Sequence, residues 1–445
     1  MRLLACLVII AAGCGPEDRP TGPTDGPPGP PDACVGLQCQ KVDCAAQGMP
    51  PTQIAGRVFA PNGTLALYGV NVYVPNEDPG PLPTNLTCDT CSENLPGKPV
   101  VKTTSDVAGG FVLDDAPAGE NIPLVIQVGR WRKQITIPNV PACTTTTLGT
   151  EVTSLPKTAA EGDMPRIAIT TGGFDALECL VRKLGVDDSE FTTDAGTGKV
   201  HLFHGNGAAE FAAGFVNTGT FSEAMTLWDD YLKMETYNIV MFSCEGEQRP
   251  ADKQLASMNK VKKYADLGGR LFLSHWHNVW IQGASFSGGS QAPQVWPLIA
   301  TWNNTGPAFT GDDIIDEVNN PKGVAFADWL LNVMGSATRG VVPITDGRQT
   351  VATVDETKAD RWAFRNVQGL EYPQTFQFTT PNELPEAQRC GKVVFTDMHV
   401  SGRGGDIANT TPFPDGCSTE PLTPQEKALA FMFFDISACV DVDIF

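Results

Sequence analysis

Five short, almost continuously apolar runs constrain the fold most: Ile167 to Thr170 in RIAITTGG, Lys199 to Gly205 (KVHLFHG), Tyr237 to Gly246 (YNIVMFSCEG), Gly269 to His275 (GRLFLSH) and Cys390 to His399 (CGKVVFTDMH). A strand with one wet face alternates apolar with polar, so runs that do not alternate belong in a parallel sheet covered on both faces. Helical stretches separate them. In the first, Asp175 and Glu178 have capping-box spacing and Gly185 supplies the stop; another, KQLASMNKVKKYADLGG, is closed by glycine. The last is announced by Thr423-Pro-Gln-Glu426, an N-cap, an N1 proline and a capping acid. Residues 165–445 therefore read as an α/β domain. An inserted α+β segment of about 281–389 holds a helix around Gly323 to Met334 and the tryptophans Trp296, Trp302, Trp329 and Trp362, and it is expected to roof the sheet's carboxyl edge.

Upstream the period changes to two. Between Thr52 and Val140, short alternating runs punctuated by Asn-Gly, Gly-Gly and Pro-Ala-Gly predict an antiparallel β-sandwich over 52–142, followed by a linker over 143–164. Residues 15–33 hold seven prolines and no large apolar side chain, which makes them a stiff, coreless spacer. The first 14 residues, MRLLACLVIIAAGC, are too short to span a bilayer and are laid out as an export signal. They resemble a bacterial lipoprotein signal, which implies that Cys14 becomes the lipid-modified first residue. With Gly15 after it, the resemblance favours the outer membrane. The order of Gly56-x-Val58, Gly63, Leu67-Tyr-Gly-Val-x-Val-x-Val74, Thr104-Ser-Asp106 with Gly110-Phe111, and Pro117-x-Gly119 resembles the carboxypeptidase regulatory-like family, a carbohydrate-binding-like sandwich. That likeness implies an accessory domain with no active site of its own.

Past Cys14 eleven cysteines remain, at 34, 39, 44, 88, 91, 143, 179, 244, 390, 417 and 439, and in an exported chain these are expected mostly as disulfides. Eleven is odd, so at least one thiol is unpaired unless chains are cross-linked. The Cys-rich segment 34–51 lacks the C-x-x-C spacing of a zinc site, so disulfides are expected there. Cys88 and Cys91 are expected to staple their own loop. The last helix starts at the carboxyl edge and runs back, so Cys390 and Cys439 are expected to pair at the amino edge. Cys179, Cys244 and Cys417 are left at the carboxyl edge, two to bond and one to spare.

A net charge of −20 with no basic tract excludes a nucleic-acid footprint. Gly172-Gly173 lacks both the G-x-G-x-x-G pattern and a P-loop lysine, so no nucleotide is expected either. Open parallel sheets bind ligands beyond the carboxyl ends of their strands. Standing there are Gly172, Gly173 and Asp175 after the first run, His204 after the second, Cys244 and Glu245 after the third, His275 and His277 after the fourth, and His399 after the last. Gly172, Gly173, Asp175, Glu245, His275 and His277 are the candidate ligand-cleft residues. If extension continues through Trp276, His275 and His277 share a face.

Two chemistries compete at this edge. His275, His277 and His399 offer three nitrogens and an open position to a metal ion, without any H-E-x-x-H spacing to support it, and no cofactor is otherwise expected. Alternatively, FSCEG resembles the nucleophile elbow of class I glutamine amidotransferase-like proteins, with Cys244 and Gly246 matching and Phe242 where the first glycine belongs. That resemblance implies Cys244 as nucleophile and His399 as base, but the acid expected two residues later is replaced by Ser401. The arrangement also resembles bacterial surface lipoproteins that join such a sandwich to a flavodoxin-like domain. An export signal, a spacer and a sandwich exclude the (β/α)₈ barrel of a tryptophan synthase alpha subunit. The expected function is a lipid-anchored surface binding or scaffold protein whose partners are the membrane, through Cys14, and a surface protein or glycan; the alternative is a hydrolase or amidotransferase-like enzyme at the same edge.

Overall fold

The computed structural model describes residues 34–89, 91, 94–283, 291–400 and 410–440. The signal, Cys14 and the proline-rich spacer lie outside the described residues. The N-terminal part forms two small sheets. One has four antiparallel strands, in the order Pro99–Thr104, Asn71–Pro75, Gly119–Val128, Trp131–Val140; the other has three, Gly110–Leu113, Gln53–Arg57 and Thr145–Thr147. Their apolar faces share one core, in which Ile54, Val72, Val74, Leu113, Leu124 and Ile126 are buried. The pairing is antiparallel except where Thr145–Thr147 runs parallel to Gln53–Arg57.

The second part is built on an eleven-stranded mixed sheet. Its five longer parallel strands, in chain order, are the first Ile167–Thr171, the second Val200–His204, the third Ile239–Phe242, the fourth Arg270–Ser274 and the fifth Gly391–Thr396, and two-residue strands Phe191–Thr192 and Ser222–Glu223 also pair parallel with the second. In space they run second, first, third, fourth, fifth, the 2-1-3-4-5 order of a doubly wound sheet. The uninterrupted apolar runs are explained by cover on both faces: Phe272 packs on the side of helices Leu177–Lys183 and Pro424–Ser437, while Leu271 and Leu273 pack on the side of Leu255–Asp266.

Most of the inserted segment lies beside the sheet instead of roofing its carboxyl edge, although the stretch from Asp346 to Thr350 reaches that edge against His399 and Asp397. Four of its strands extend the same sheet beyond the fifth parallel strand, in the order Leu370–Thr380, Asp360–Val367, Phe309–Ile315, Val341–Gly347, each antiparallel to its neighbour. The reason is an open edge: the fifth strand has a free hydrogen-bonding side, and LEYPQTFQFTT pairs with it over six positions. Trp296, Trp329 and Trp362 are fully buried in the packing around this extension, and Trp302 is partly buried against Phe395.

The disulfides also differ from expectation. Cys390 and Cys439 do lie close together at the amino edge, but they do not bond to each other, and Cys88 and Cys91 do not staple their own loop. Cys88 pairs with Cys390 and Cys91 with Cys439. The loop from the sandwich reaches that edge because Gly268, which ends helix Leu255–Asp266, leaves no room for a side chain: a Cβ there would stand 2.3 Å from the Thr87 carbonyl. Backbone bonds between Cys91 and Val440 and between Val440 and Asp89 then set the register. In the Cys-rich segment Cys34 bonds Cys39, and Cys44 bonds Cys143, so no thiols there remain for zinc.

Candidate functional site

The third, fourth and fifth parallel strands are adjacent, and each ends in a residue able to take part in bond making. Phe242 pairs with Leu273 and Ser274 with Thr396, so Cys244, His275 and His399 emerge at nearly one level. One ligand atom from each lies within 4.8 Å of the others. His275 Nδ1 is 3.3 Å from Cys244 Sγ, and the Gly246 N–H donates to that sulfur at 3.4 Å. The Cys179–Cys417 disulfide takes the other two carboxyl-edge cysteines, and Cys244 is the free cysteine among the described residues.

Backbone shape brings His275 to the sulfur. The fourth strand stops at Ser274 and the chain enters a 3-10 turn, His275–Asn278, with His275 at φ 41°. A non-glycine residue there carries strain on the order of 1 kcal/mol or more. The early turn also corrects the expectation that His275 and His277 share a face. His277 turns into the apolar layer, stacks on Phe242 and uses both ring nitrogens. Its Nδ1 accepts from Trp280 Nε1 at 2.9 Å, so Nε2 carries the hydrogen and donates to the Ser243 carbonyl at 3.0 Å. His277 therefore does not join the group of metal-competent atoms, where Cys244 stands in its place.

His399 is the better supported of the two imidazoles. Asp346, at the end of strand Val341–Gly347, presents Oδ2 3.5 Å from His399 Nδ1 and accepts from Arg348 through Oδ1. Burial alone would lower the basicity of His399, but its interactions with Cys244, with the Asp346 carboxylate and with Asp175 outweigh it and raise its pKa to about 10. His275 is buried too and faces His399 and Arg348 instead of a carboxylate, so its pKa is held well below the ordinary value. His399 therefore holds a proton far more readily than His275 does.

The other expected cleft residues are scaffolding. Gly172 lets the turn after the first strand lie against the segment that follows the third, where a Cβ would meet the Cys244 carbonyl at 2.3 Å; at Gly173 it would meet the Asn206 carbonyl at 2.9 Å. Asp175 and Glu178 form no capping box, because helix Leu177–Lys183 starts with Ala176 as its uncapped boundary. Asp175 Oδ1 instead accepts from the N–H of Ala176 at 2.9 Å and of Val400 at 2.7 Å, which anchors the segment carrying His399. Glu245 points away from the cluster into a buried ion pair with Lys253. His204 is partly exposed, 3.3 Å from Glu223, and takes no part.

Two site residues escaped the sequence reading. Asp346 comes from the inserted segment, far from His399 in the chain, and only the lateral extension of the sheet brings it in. Gln425 lay in view within the TPQE helix start, whose capping box forms as expected. Its side-chain nitrogen donates to the carbonyls of His399 (2.6 Å) and Asp346 (2.8 Å), and its oxygen accepts from the Thr345 and Asp346 N–H groups, so one buried amide clamps both arms.

No protein-family profile matches the chain, and no curated protein matches it. Among solved structures, a ThuA-like protein from Bacteroides uniformis aligns over 60% of this chain and 90% of its own at 12% identity, with a TM-score of 0.30. An interface mutant of a type II cohesin–X-dockerin complex from Acetivibrio cellulolyticus aligns over 31% of this chain and 85% of its own at 14% identity, with a TM-score of 0.17. Similarity of that order carries no argument about activity.

Proposed function

We propose that the protein is an exported, lipid-anchored surface enzyme of the thiol-nucleophile class, acting on an amide or ester acyl group with Cys244 as nucleophile, His399 as acid and base, and Asp346 as the group that orients His399. The observation that carries this reading is the unpaired Cys244 beside His399, whose far nitrogen faces Asp346, in a chain whose other described cysteines are all in disulfides. A thiolate beside an imidazolium held by a third group is the arrangement an activated cysteine needs. Sγ attacks the carbonyl carbon to form a thioester, and His399 gives its proton to the leaving amine or alcohol as that bond breaks. Water then attacks the thioester carbon, His399 takes its proton, and the acid departs with Sγ restored. Under this reading the carboxypeptidase regulatory-like sandwich, the flavodoxin-like character of the α/β part and the outer-membrane anchor at Cys14 describe how the enzyme is mounted.

One observation favours a second reading, a surface-anchored binding or scaffold protein: Cys244 is 0% exposed, His399 2% and His275 5%. The two readings separate on alkylation. Iodoacetamide added to the folded full-length protein, followed by peptide mapping, is expected to label Cys244 without denaturant and more slowly in His399→Ala. Labelling only after denaturation, or at a rate indifferent to His399, would leave the binding role in possession.

A further inference from the structure

We infer that Cys244, His275 and His399 together form a binding site for one soft divalent cation of the zinc class. The geometry suits such an ion. Zinc bonds of about 2.0–2.3 Å to nitrogen and sulfur require ligand atoms roughly 3.3–3.8 Å apart. Sγ and His275 Nδ1 already stand at 3.3 Å, and the whole trio lies within 4.8 Å. A sulfur with two imidazoles selects zinc, cobalt or cadmium over magnesium or calcium, which want oxygen.

A second observation points the same way. His399 is 2% exposed, and while its Nδ1 faces Asp346 Oδ2 at 3.5 Å, its Nε2 makes no hydrogen bond within the structure. Buried polar atoms are seldom left so, since leaving one unsatisfied costs about 1–3 kcal/mol. With Nδ1 turned toward Asp346, Nε2 is the nitrogen left for an ion, and the carboxylate behind it is the outer-shell partner that metal-bound histidines use to fix ring orientation. The trio supplies three ligands and leaves a fourth position open.

Occupancy would tie up the sulfur lone pairs, so the cation would silence the thiol; that consequence, unlike the site itself, rests on the acyl-transfer reading above. The test uses the full chain, stripped with a chelator and titrated with Co²⁺. The expected result is one equivalent bound, with the intense visible absorption of a tetrahedral ion, a thiolate charge-transfer band, and displacement by Zn²⁺. His275→Ala and Cys244→Ser are expected to abolish the band, Asp346→Asn to weaken affinity by roughly 10–100-fold, and His204→Ala to leave it unchanged. If the alanine variants fail to fold, the wild-type spectrum decides, because cobalt held by carboxylates and water is octahedral and shows no thiolate band. Absence of that band in the wild-type chain overturns the site. Cobalt bound with the band in a protein whose Cys244 never alkylates supports the site and removes the acyl-transfer reading; His399-dependent alkylation with no cobalt bound does the reverse.

Discussion

His399 and His275 flank one sulfur atom and differ in basicity, and the difference comes from what lies behind each ring. Behind His399 are carboxylates; around His275 are His399 and Arg348. Identical side chains at equal depth thus take different roles, as neighbouring charge decides. A nearby carboxyl shows burial winning instead. Glu178 is fully buried, and desolvation raises its pKa to about 8 from an ordinary 4.5. With the folded value above the unfolded one, its contribution to stability is greatest below pH 4.5 and is lost as pH rises toward 8. Glu178→Gln is therefore expected to stabilise the protein at pH 7, by at most ~3 kcal/mol, and to change little at pH 4. Denaturant melts at the two pH values check this, and an equal gain at both would show that Glu178 is not held neutral.

At the scale of elements, the site is a product of strand order. The third, fourth and fifth strands lie side by side, so their ends converge, while His204 at the end of the second is left outside. The final helix locks the result through Gln425, which bonds backbone groups on both the His399 and Asp346 segments. Gln425→Ala is expected to lower stability by about 1–3 kcal/mol, the cost of stranding buried polar groups, and to slow alkylation of Cys244 in the folded state. If only stability falls, Gln425 holds the fold and does not position the pair.

Across the whole molecule, two disulfides bind the sandwich to the far edge of the α/β sheet, with sequence separations of 302 and 348 residues. Replacing Cys91 and Cys439 together by serine is expected to cost roughly 2–4 kcal/mol, read as a lower denaturant midpoint in non-reducing buffer; an unchanged midpoint would mean that the packing between the two parts suffices. The amino-acid sequence determined by itself the local and periodic features: the apolar strands, the alternating sandwich runs, the capping box at Thr423, and the fact that Cys244, His275 and His399 stand at strand ends. Those depend on neighbours a few positions away, so they are written in the order of residues. Tertiary structure alone decided that Cys88 and Cys91 take Cys390 and Cys439, that His277 turns away into the apolar layer, and that Asp346 and Gln425 reach His399. Each of these depends on which elements become neighbours in space. The free edge of the fifth strand, the missing side chain at Gly268 and the early turn at His275 settle that only once the chain is folded.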